Sequence, residues 1–289
     1  CTNLAGAVRK AFSGPRLPAG ENAVDSVIPV ARLSDMLLHP GETYEFDGQQ
    51  RRYPDIRLVY WAGGNAFHHH QDINRLCEAW RRPETVVVHE QYWTAQAKFS
   101  DIVLPATTSL EREDIGSGGH DGFMIAMSAQ IPPVGEARDD YAIFCDLAGR
   151  LGFGEAFSEG RDAGQWLRHL YEESRPRAQE EGIALPSFDD FWQQGVLEYS
   201  APERPQIFLA DFRADPQRYP LSTPSGKIEL FSATVAGFGY RECPGHPWWD
   251  EQEAARQRQE AARWPLHLLS SQPRARLHSQ YDHGSVSQI

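Results

Sequence analysis

Residues 57–105 decide the fold, and they read RLVYWAGGNAFHHHQDINRLCEAWRRPETVVVHEQYWTAQAKFSDIVLP. Apolar side chains recur at helical spacing after Asp72, and a shorter helix can run through Ala95 and Ala97. Strands that alternate with helices in this way predict a parallel sheet with helical crossovers. The three predicted strands are the short apolar runs 57–61, 85–89 and 102–104.

The flanking sequence predicts further elements. A polar segment around Asp47-Gly48 is typical of a hairpin turn. The polar stretch 250–263 indicates either an exposed helix or a solvated linker. Apolar spacing predicts helices at 29–38, 139–151, 161–173 and around 188–192, and strands at 228–231 and from Leu266 to Leu269.

Composition limits the classes of function. The 289 residues suffice for one large or two ordinary domains, and 40% of them are hydrophobic. A net charge of −12 argues against binding a nucleic-acid backbone, and no apolar run is long enough for a membrane span. The four cysteines are scattered without a CxxC pair, so we expect buried thiols and a reducing compartment.

Both ends of the sequence suggest an incomplete chain. The first residue is Cys1 rather than Met, and Ile289 follows a motif-rich stretch directly. We therefore expect a fragment or a processed piece of a longer protein.

A ligand site is expected where the predicted strands end, because open parallel sheets bind ligands at that edge. Gly63 and Gly64 follow the first strand and would let a ligand approach the backbone, while the helix from Asp72 would direct free amides at a phosphate. Glu90 ends the second strand, where a carboxylate can accept hydrogen bonds from a ribose diol. Each feature alone also fits a tight turn or a surface carboxylate.

Two more polar stretches extend this hypothesis. Thr107 and Thr108 follow the third strand and can bind the same ligand, and a carboxylate among residues 111–114 can pair with the two donors of guanine. Residues 270–280 combine hydroxyls, amides, arginines and a histidine, which suits a phosphorylated ligand.

Two other classes of protein remain open at this point. His68–His70 invite a metal site and a metallohydrolase, although adjacent side chains point in different directions and carboxylate or thiol ligands at the usual spacing are missing. A free-standing nucleotide-binding module without redox activity is the second alternative.

The stretch 55–116 resembles the dimethyl sulfoxide reductase family of molybdopterin oxidoreductases, in the subgroup of biotin sulfoxide, trimethylamine N-oxide and dimethyl sulfoxide reductases. Residues 28–41 (IPVARLSDMLLHPG), 224–232 (PSGKIELFS) and 266–280 (LHLLSSQPRARLHSQ) resemble the same subgroup in colinear order.

The resemblance implies a cofactor and a reaction. In this family, bis-molybdopterin guanine dinucleotide holds molybdenum, and the metal takes an oxygen atom from an S-oxide or N-oxide. The electron donor is unknown. The metal ligand would lie outside this chain, so no catalytic and no metal-ligating residue is assigned, and the chain alone is predicted to be inactive.

The resemblance also implies site residues. Ala66 departs from the family's usual proline after Asn65, which alters only the stiffness of the turn. The expected contacts of the first dinucleotide are Gly64, Asn65, His69, Glu90, Thr94, Asp101 and Asp114, the last as the base-recognition carboxylate. Those of the other dinucleotide are Ser271, Gln272, Arg276, His278, Ser279 and Gln280.

The expected fold class is α/β. We expect a Rossmann-like parallel-sheet nucleotide-binding domain at 1–152, a helical and irregular connecting region at 153–262, and the truncated start of a C-terminal β-barrel domain at 263–289.

Overall fold

The computed structural model describes residues 14–18, 20–24, 26–117, 122–199, 207–266, 269 and 271. After a 3-10 turn at Val30–Arg32, helix α1 spans Leu33–Leu38, which confirms the helix predicted there. Strands β1 (Thr43–Phe46) and β2 (Gln49–Arg52) form the predicted hairpin. Its two-residue loop has φ values of 49° at Asp47 and 72° at Gly48, and this sign at both positions is typical of a type I′ turn.

A three-stranded parallel sheet follows. Its strands and helices come along the chain in the order predicted from the sequence. Residues 86–88 of the central strand are all buried, because neighbouring strands and helices cover them on every side. The elements are β3 (Leu58–Ala62), α2 (Ala66–His69), α3 (Ile73–Ala79), β4 (Thr85–Glu90), α4 (Ala95–Lys98) and β5 (Ile102–Pro105).

The register of this sheet brings three strand ends together. Ala62 lies beside His89, and Glu90 lies beside Pro105. The carboxyl ends of β3, β4 and β5 therefore form one edge, which we call the carboxyl edge. A core around Leu37, Phe67 and Trp80 covers one face of the sheet.

The helix predicted from Asp72 is confirmed, but a further helix precedes it. The one-turn helix α2, which the sequence does not predict, lies between the glycine turn and Asp72. Asp72 is the N-cap of the next helix, α3, where its carboxylate accepts a hydrogen bond from the Arg75 amide. Asn65 caps α2 instead, since its side-chain oxygen accepts from the Phe67 amide and starts a helical turn early.

A second, antiparallel sheet is absent from the sequence prediction. Its middle strand pairs with one strand nearby in sequence and with another about seventy residues later. A local sequence pattern therefore does not predict this sheet. The elements in this part of the chain are β6 (Asp114–Ser117), β7 (Phe123–Met127), α5 (Asp140–Arg150), α6 (Gly154–Ser158), α7 (Ala163–Glu180), α8 (Phe188–Gln194) and β8 (Val196–Glu198). Helices α5, α7 and α8 confirm those predicted at 139–151, 161–173 and around 188–192.

The sheet β6–β7–β8 packs against α7 and α8. Met124, Tyr171 and Phe191 are fully buried in this core, and the last two rings stack with centroids 4.8 Å apart. Helix α7 begins at a capping box formed by Asp162 and Gln165. It continues through Pro176, beyond its predicted end, because Ala178 in the last turns is also buried in this core. The sheet joins residues on both sides of position 152, the predicted domain boundary, which stays a prediction.

The remaining described elements are short helices and one longer one: α9 (Ala210–Ala214), α10 (Ala233–Gly237) and α11 (Glu251–Arg263). Helix α11 resolves the choice between helix and linker in favour of an exposed helix. The strand predicted at 228–231 is wrong: these residues have no regular structure apart from bends at 230 and 231, no strand among the described residues pairs with them, and Leu230 is 84% exposed. The strand predicted from Leu266 lies mostly outside the described residues.

One contact joins distant parts of the chain. The Gly48 amide at the tip of the first hairpin donates a 2.9 Å hydrogen bond to the Tyr240 hydroxyl, just after α10. The described residues thus form a mixed α/β protein with one parallel sheet and two antiparallel ones. Over the part of the chain that is described, none of the helices combines the length and apolar character needed to cross a bilayer.

Candidate nucleotide-binding site

The turn after β3 is open toward the carboxyl edge. Gly63 and Gly64 have φ values of 80° and 70°, a conformation that side-chain-bearing residues adopt only at a cost. A β-carbon added at either glycine would meet no atom within 4 Å. The backbone of the turn therefore faces free space, which leaves room for the close approach predicted for a ligand.

Asn65, Glu90 and Thr94 form a hydrogen-bonded group beside this turn, which we call the edge cluster. The Asn65 amide nitrogen donates to Glu90 Oε2 at 3.2 Å and to Thr94 Oγ1 at 3.1 Å. The Thr94 hydroxyl donates to Glu90 Oε2 at 2.8 Å. Three of the predicted cofactor contacts thus meet at one place, and they come from the turn after β3, the end of β4 and the N-cap of α4.

Gln96 binds the turn on its buried side, and the sequence did not predict this residue as part of the site. Its side-chain oxygen accepts a 2.7 Å hydrogen bond from the backbone amide of Ala66, and both residues are fully buried. The signal available in the sequence was a polar side chain between Ala95 and Ala97 in a one-turn helix.

Asp114 connects to the edge cluster through hydrogen bonds and one ion pair. The side chains of Gln91 and Arg112 both donate to the Thr107 carbonyl, at 2.9 and 2.8 Å. Glu90 accepts from the Gln91 amide, and Arg112 lies 3.8 Å from the Asp114 carboxylate. The structure therefore brings the predicted base-recognition carboxylate into the same network, with its side chain 44% exposed.

The two predicted threonines differ from each other. The Thr107 hydroxyl is buried, and among the described residues it has no hydrogen-bond partner. Thr108 is occupied, because both its amide and its hydroxyl donate to Glu111 Oε2 at 2.7 Å. These bonds from Thr108, together with one from the Val134 amide, hold the pKa of Glu111 below its usual value.

Asp101 is not brought to the carboxyl edge. Its carboxylate accepts a 2.8 Å hydrogen bond from the amide of Val86, near the start of β4. Glu90 ends that strand four residues later, roughly 13 Å away at the usual strand rise. Asp101 therefore ties β4 to the start of β5 and lies apart from the edge cluster, and its expected contact with the cofactor stays a prediction.

The three histidines do not act alike. His69 is exposed at the end of α2, and its ring lies 5.1 Å from that of His70. The His70 ring nitrogens face the carbonyls of Ala66 and Val30, both at 3.2 Å, so this residue links α2 to the start of the first helix. Within the described ranges, no group of three or more His, Cys, Asp or Glu side chains could hold a metal ion.

A buried histidine relay lies next to the site. His89 is bonded to the Tyr60 hydroxyl and to the Asp140 carboxylate, both at 2.7 Å, and its side chain is 1% exposed. Burial, followed by the charge of Asp140, raises the pKa of Tyr60. The relay fastens α5 to the face of the sheet opposite α3, with Phe144 against the Tyr60 and His89 rings.

Most of the second predicted group of contacts lies outside the described residues. Ser271 is exposed. Gln272, Arg276, His278, Ser279 and Gln280 lie outside the described residues.

Known proteins similar to this chain are consistent with such a site. Residues 20–150 match the family model for molybdopterin oxidoreductases. The chain is 51% identical over 274 residues to biotin sulfoxide reductase of Cereibacter sphaeroides, covering 94% of this chain and 36% of that protein. It is 47% identical over 265 residues to dimethyl sulfoxide/trimethylamine N-oxide reductase of the same organism, covering 91% and 32%.

Two further matches complete this comparison. Trimethylamine-N-oxide reductase of Haemophilus influenzae is 44% identical over 270 residues, covering 91% of this chain and 32% of that protein. Acetylene hydratase of Pelobacter acetylenicus has the same fold over 82% of this chain and 30% of its own, with a TM-score of 0.57 at 22% identity. The chain spans about a third of the length of the curated relatives that it matches. By the family-model match over residues 20–150 and by these relatives, the chain is similar to a part of the molybdopterin oxidoreductases.

Proposed function

We propose that this chain binds the guanine dinucleotide form of the molybdenum–molybdopterin cofactor in an enzyme that reduces S-oxides or N-oxides by oxygen-atom transfer. The observation that carries the proposal is the open Gly63–Gly64 turn beside the edge cluster. The relatives named as biotin sulfoxide and trimethylamine N-oxide reductases support the class of substrate.

The residues present fit such a cofactor. A dinucleotide needs close backbone approach at its phosphates and polar partners at its sugar and base. The two glycines leave free space above the turn, and Glu90 and Asp114 supply carboxylates within one network. The buried Thr107 hydroxyl is a further polar group without a partner among the described residues.

Each residue then has a defined task toward the first dinucleotide. The backbone amides of Gly64 and Asn65 in the turn itself donate to phosphate oxygens, because those of Ala66 and Phe67 are already bonded within the protein, and His69 at the end of α2 adds a donor. Glu90 accepts from ribose hydroxyls while Asn65 and Thr94 fix its orientation. Asp114 accepts from N1–H and the amino group of guanine, and Arg112 holds it in place.

The second dinucleotide would be held by Ser271, Gln272, Arg276, His278, Ser279 and Gln280. In this arrangement residues 1–152 form the greater part of a Rossmann-like domain, residues 153–262 connect, and residues from 263 begin a β-barrel domain. The cofactor, when bound, supplies the two-electron chemistry that removes an oxygen atom from the substrate. This chain supplies binding and orientation.

The proposal is tested on the full-length protein that carries this sequence. We expect about one molybdenum and two guanine nucleotides per chain, by analogy with dinucleotide sites of this kind. We also expect turnover of trimethylamine N-oxide or biotin sulfoxide with a chemically reduced viologen as electron donor. Molybdenum without guanine nucleotide would refute the dinucleotide form. A cofactor-loaded protein inactive on both oxides would refute the reaction, and tight GDP binding by a protein without molybdenum would indicate a nucleotide-binding module.

A further inference from the structure

We propose that Gln96 is a positioning residue for the nucleotide site. Without touching the ligand, it sets the glycine turn against the sheet from helix α4. This inference rests on the proposed function, because it assigns a cause to the geometry of the same site.

A single buried hydrogen bond makes the connection. The Gln96 side-chain oxygen accepts from the Ala66 amide at 2.7 Å, and Ala66 follows the turn directly as the first residue of α2. Two adjacent glycines have wide backbone freedom. The fixed amide of Ala66, two residues after Gly64, therefore limits the directions in which the glycine amides can point.

Helix α4 reaches the turn at two points. Its N-cap Thr94 accepts from the Asn65 side chain at the carboxyl edge, and Gln96 binds the Ala66 backbone below it. Thr94 belongs to the edge cluster that a ligand would meet. Gln96 is fully buried, so any effect that it has on a ligand must pass through Ala66.

The position of Gln96 also carries an energetic cost. Its side-chain nitrogen is buried and, among the described residues, has no hydrogen-bond partner. A buried donor without a partner destabilises the fold. An apolar side chain of the same length would remove this penalty but would leave the buried Ala66 amide without its acceptor. A buried polar side chain whose one side-chain hydrogen bond among the described residues holds a ligand-facing turn is typical of a residue kept for function.

The test compares the wild type with Gln96→Met and with the matched control Gln165→Met, using full-length protein prepared without its cofactor. Methionine keeps the length of the side chain and removes the acceptor. Gln165 also accepts from a backbone amide at a helix start, that of Asp162, but in the capping box of α7.

Three measurements are made on each protein: GDP affinity by calorimetry, hydrogen exchange at the Ala66 amide, and thermal unfolding. For Gln96→Met we expect GDP affinity to fall about tenfold, since the turn is no longer preorganised. The Ala66 amide should exchange at least about tenfold faster, and the melting temperature should stay within about 4 °C of the wild type. Gln165→Met should leave GDP affinity and Ala66 exchange unchanged.

The outcomes separate this inference from the proposed function. If the wild type does not bind GDP, the proposed function fails, and this inference fails with it. If the wild type binds GDP and Gln96→Met binds it equally well, or if Ala66 stays protected in that variant, only the inference is overturned. A loss of affinity that follows a comparable loss of melting temperature would overturn it as well, since it would indicate a merely structural role.

Discussion

The parallel sheet and the antiparallel sheet differ in where they bury polar side chains. The parallel region buries Asn65, His89, Gln96 and Thr107, whereas among the described residues the core of the antiparallel region buries Ser174 alone, inside α7. Buried polar groups cost stability unless each finds a partner. We infer that the antiparallel region serves mainly packing. The parallel region instead contains buried polar side chains that cost stability and shape the carboxyl edge.

The largest expected effect lies in the packing region. Phe191→Ala removes a fully buried ring that stacks on Tyr171, so we expect a loss of about 3–5 kcal/mol in the free energy of unfolding. Urea unfolding measures it, with Phe191→Leu as the milder control. GDP affinity of the folded fraction should not change, and a parallel loss of affinity would break the comparison between the two regions.

The next effect sharpens the role of the glycine turn. Gly64→Ala places a side chain at a φ of 70° and fills the open space above the turn, so we expect GDP affinity to fall by more than about tenfold. The backbone strain itself should cost about 1 kcal/mol of stability.

Gly182→Ala is the matched control for this variant. Gly182 lies just after α7 with a φ of 79° and open space around it, so the strain is the same. It should lose similar stability and no affinity. Equal affinities of the two variants would contradict a ligand at the Gly64 turn.

Glu90→Gln tests the edge cluster. It removes the charge while keeping an oxygen for Asn65 and Thr94, so stability should change by less than about 1 kcal/mol and GDP affinity should fall roughly three- to tenfold. Glu84→Gln is the control, because Glu84 lies before the other end of the same strand in an exposed pair with Arg57. If the two variants bind GDP alike, Glu90 does not contact the ligand.

The smallest effect concerns pH and the loop that joins the two regions. The folded pKa of Glu111 is depressed, so the folded protein binds this proton more weakly than the unfolded chain does. The stabilisation by Glu111 is therefore present above the unfolded value near 4.5 and is lost as the pH falls through the folded value. Glu111→Gln should flatten stability against pH in that acid range, as measured by urea unfolding. The exposed Glu78→Gln should keep the wild-type slope, and an equal flattening by both would contradict the assignment.

Local patterns explain what could be predicted. The hairpin at Asp47-Gly48, the parallel sheet and the position of Glu90 at its carboxyl edge depend on short-range spacing and on the geometry common to parallel sheets. These features follow from residues that are near in sequence, or from a rule that fixes which ends of strands lie together. Asn65 and Thr94, which lie beside Glu90, were expected only from the family resemblance.

The missed features depend on long-range partners. Strand β7 is defined by pairing with β8, about seventy residues away, and the apolar run at 228–231 lacks such a partner and forms no strand. Asp101 lies near the site in sequence, yet it precedes its strand and therefore lies at the opposite end of the sheet. Gln96 could not be assigned before Ala66 was seen to lie against it.

The hydrogen bond between Gly48 and Tyr240 has a consequence for the order of folding. It closes a loop of 192 residues, whereas the hairpin that presents Gly48 closes over two. Closing long loops costs chain entropy that only later contacts repay, so the hairpin should form early and residues around α10 should dock on it late. A β-carbon at Gly48 would lie 2.9 Å from the Phe238 backbone. A methyl group at this position would oppose docking of the downstream segment, and at a φ of 72° it would also strain the turn of the early hairpin. Gly48 therefore serves both an early and a late step of folding.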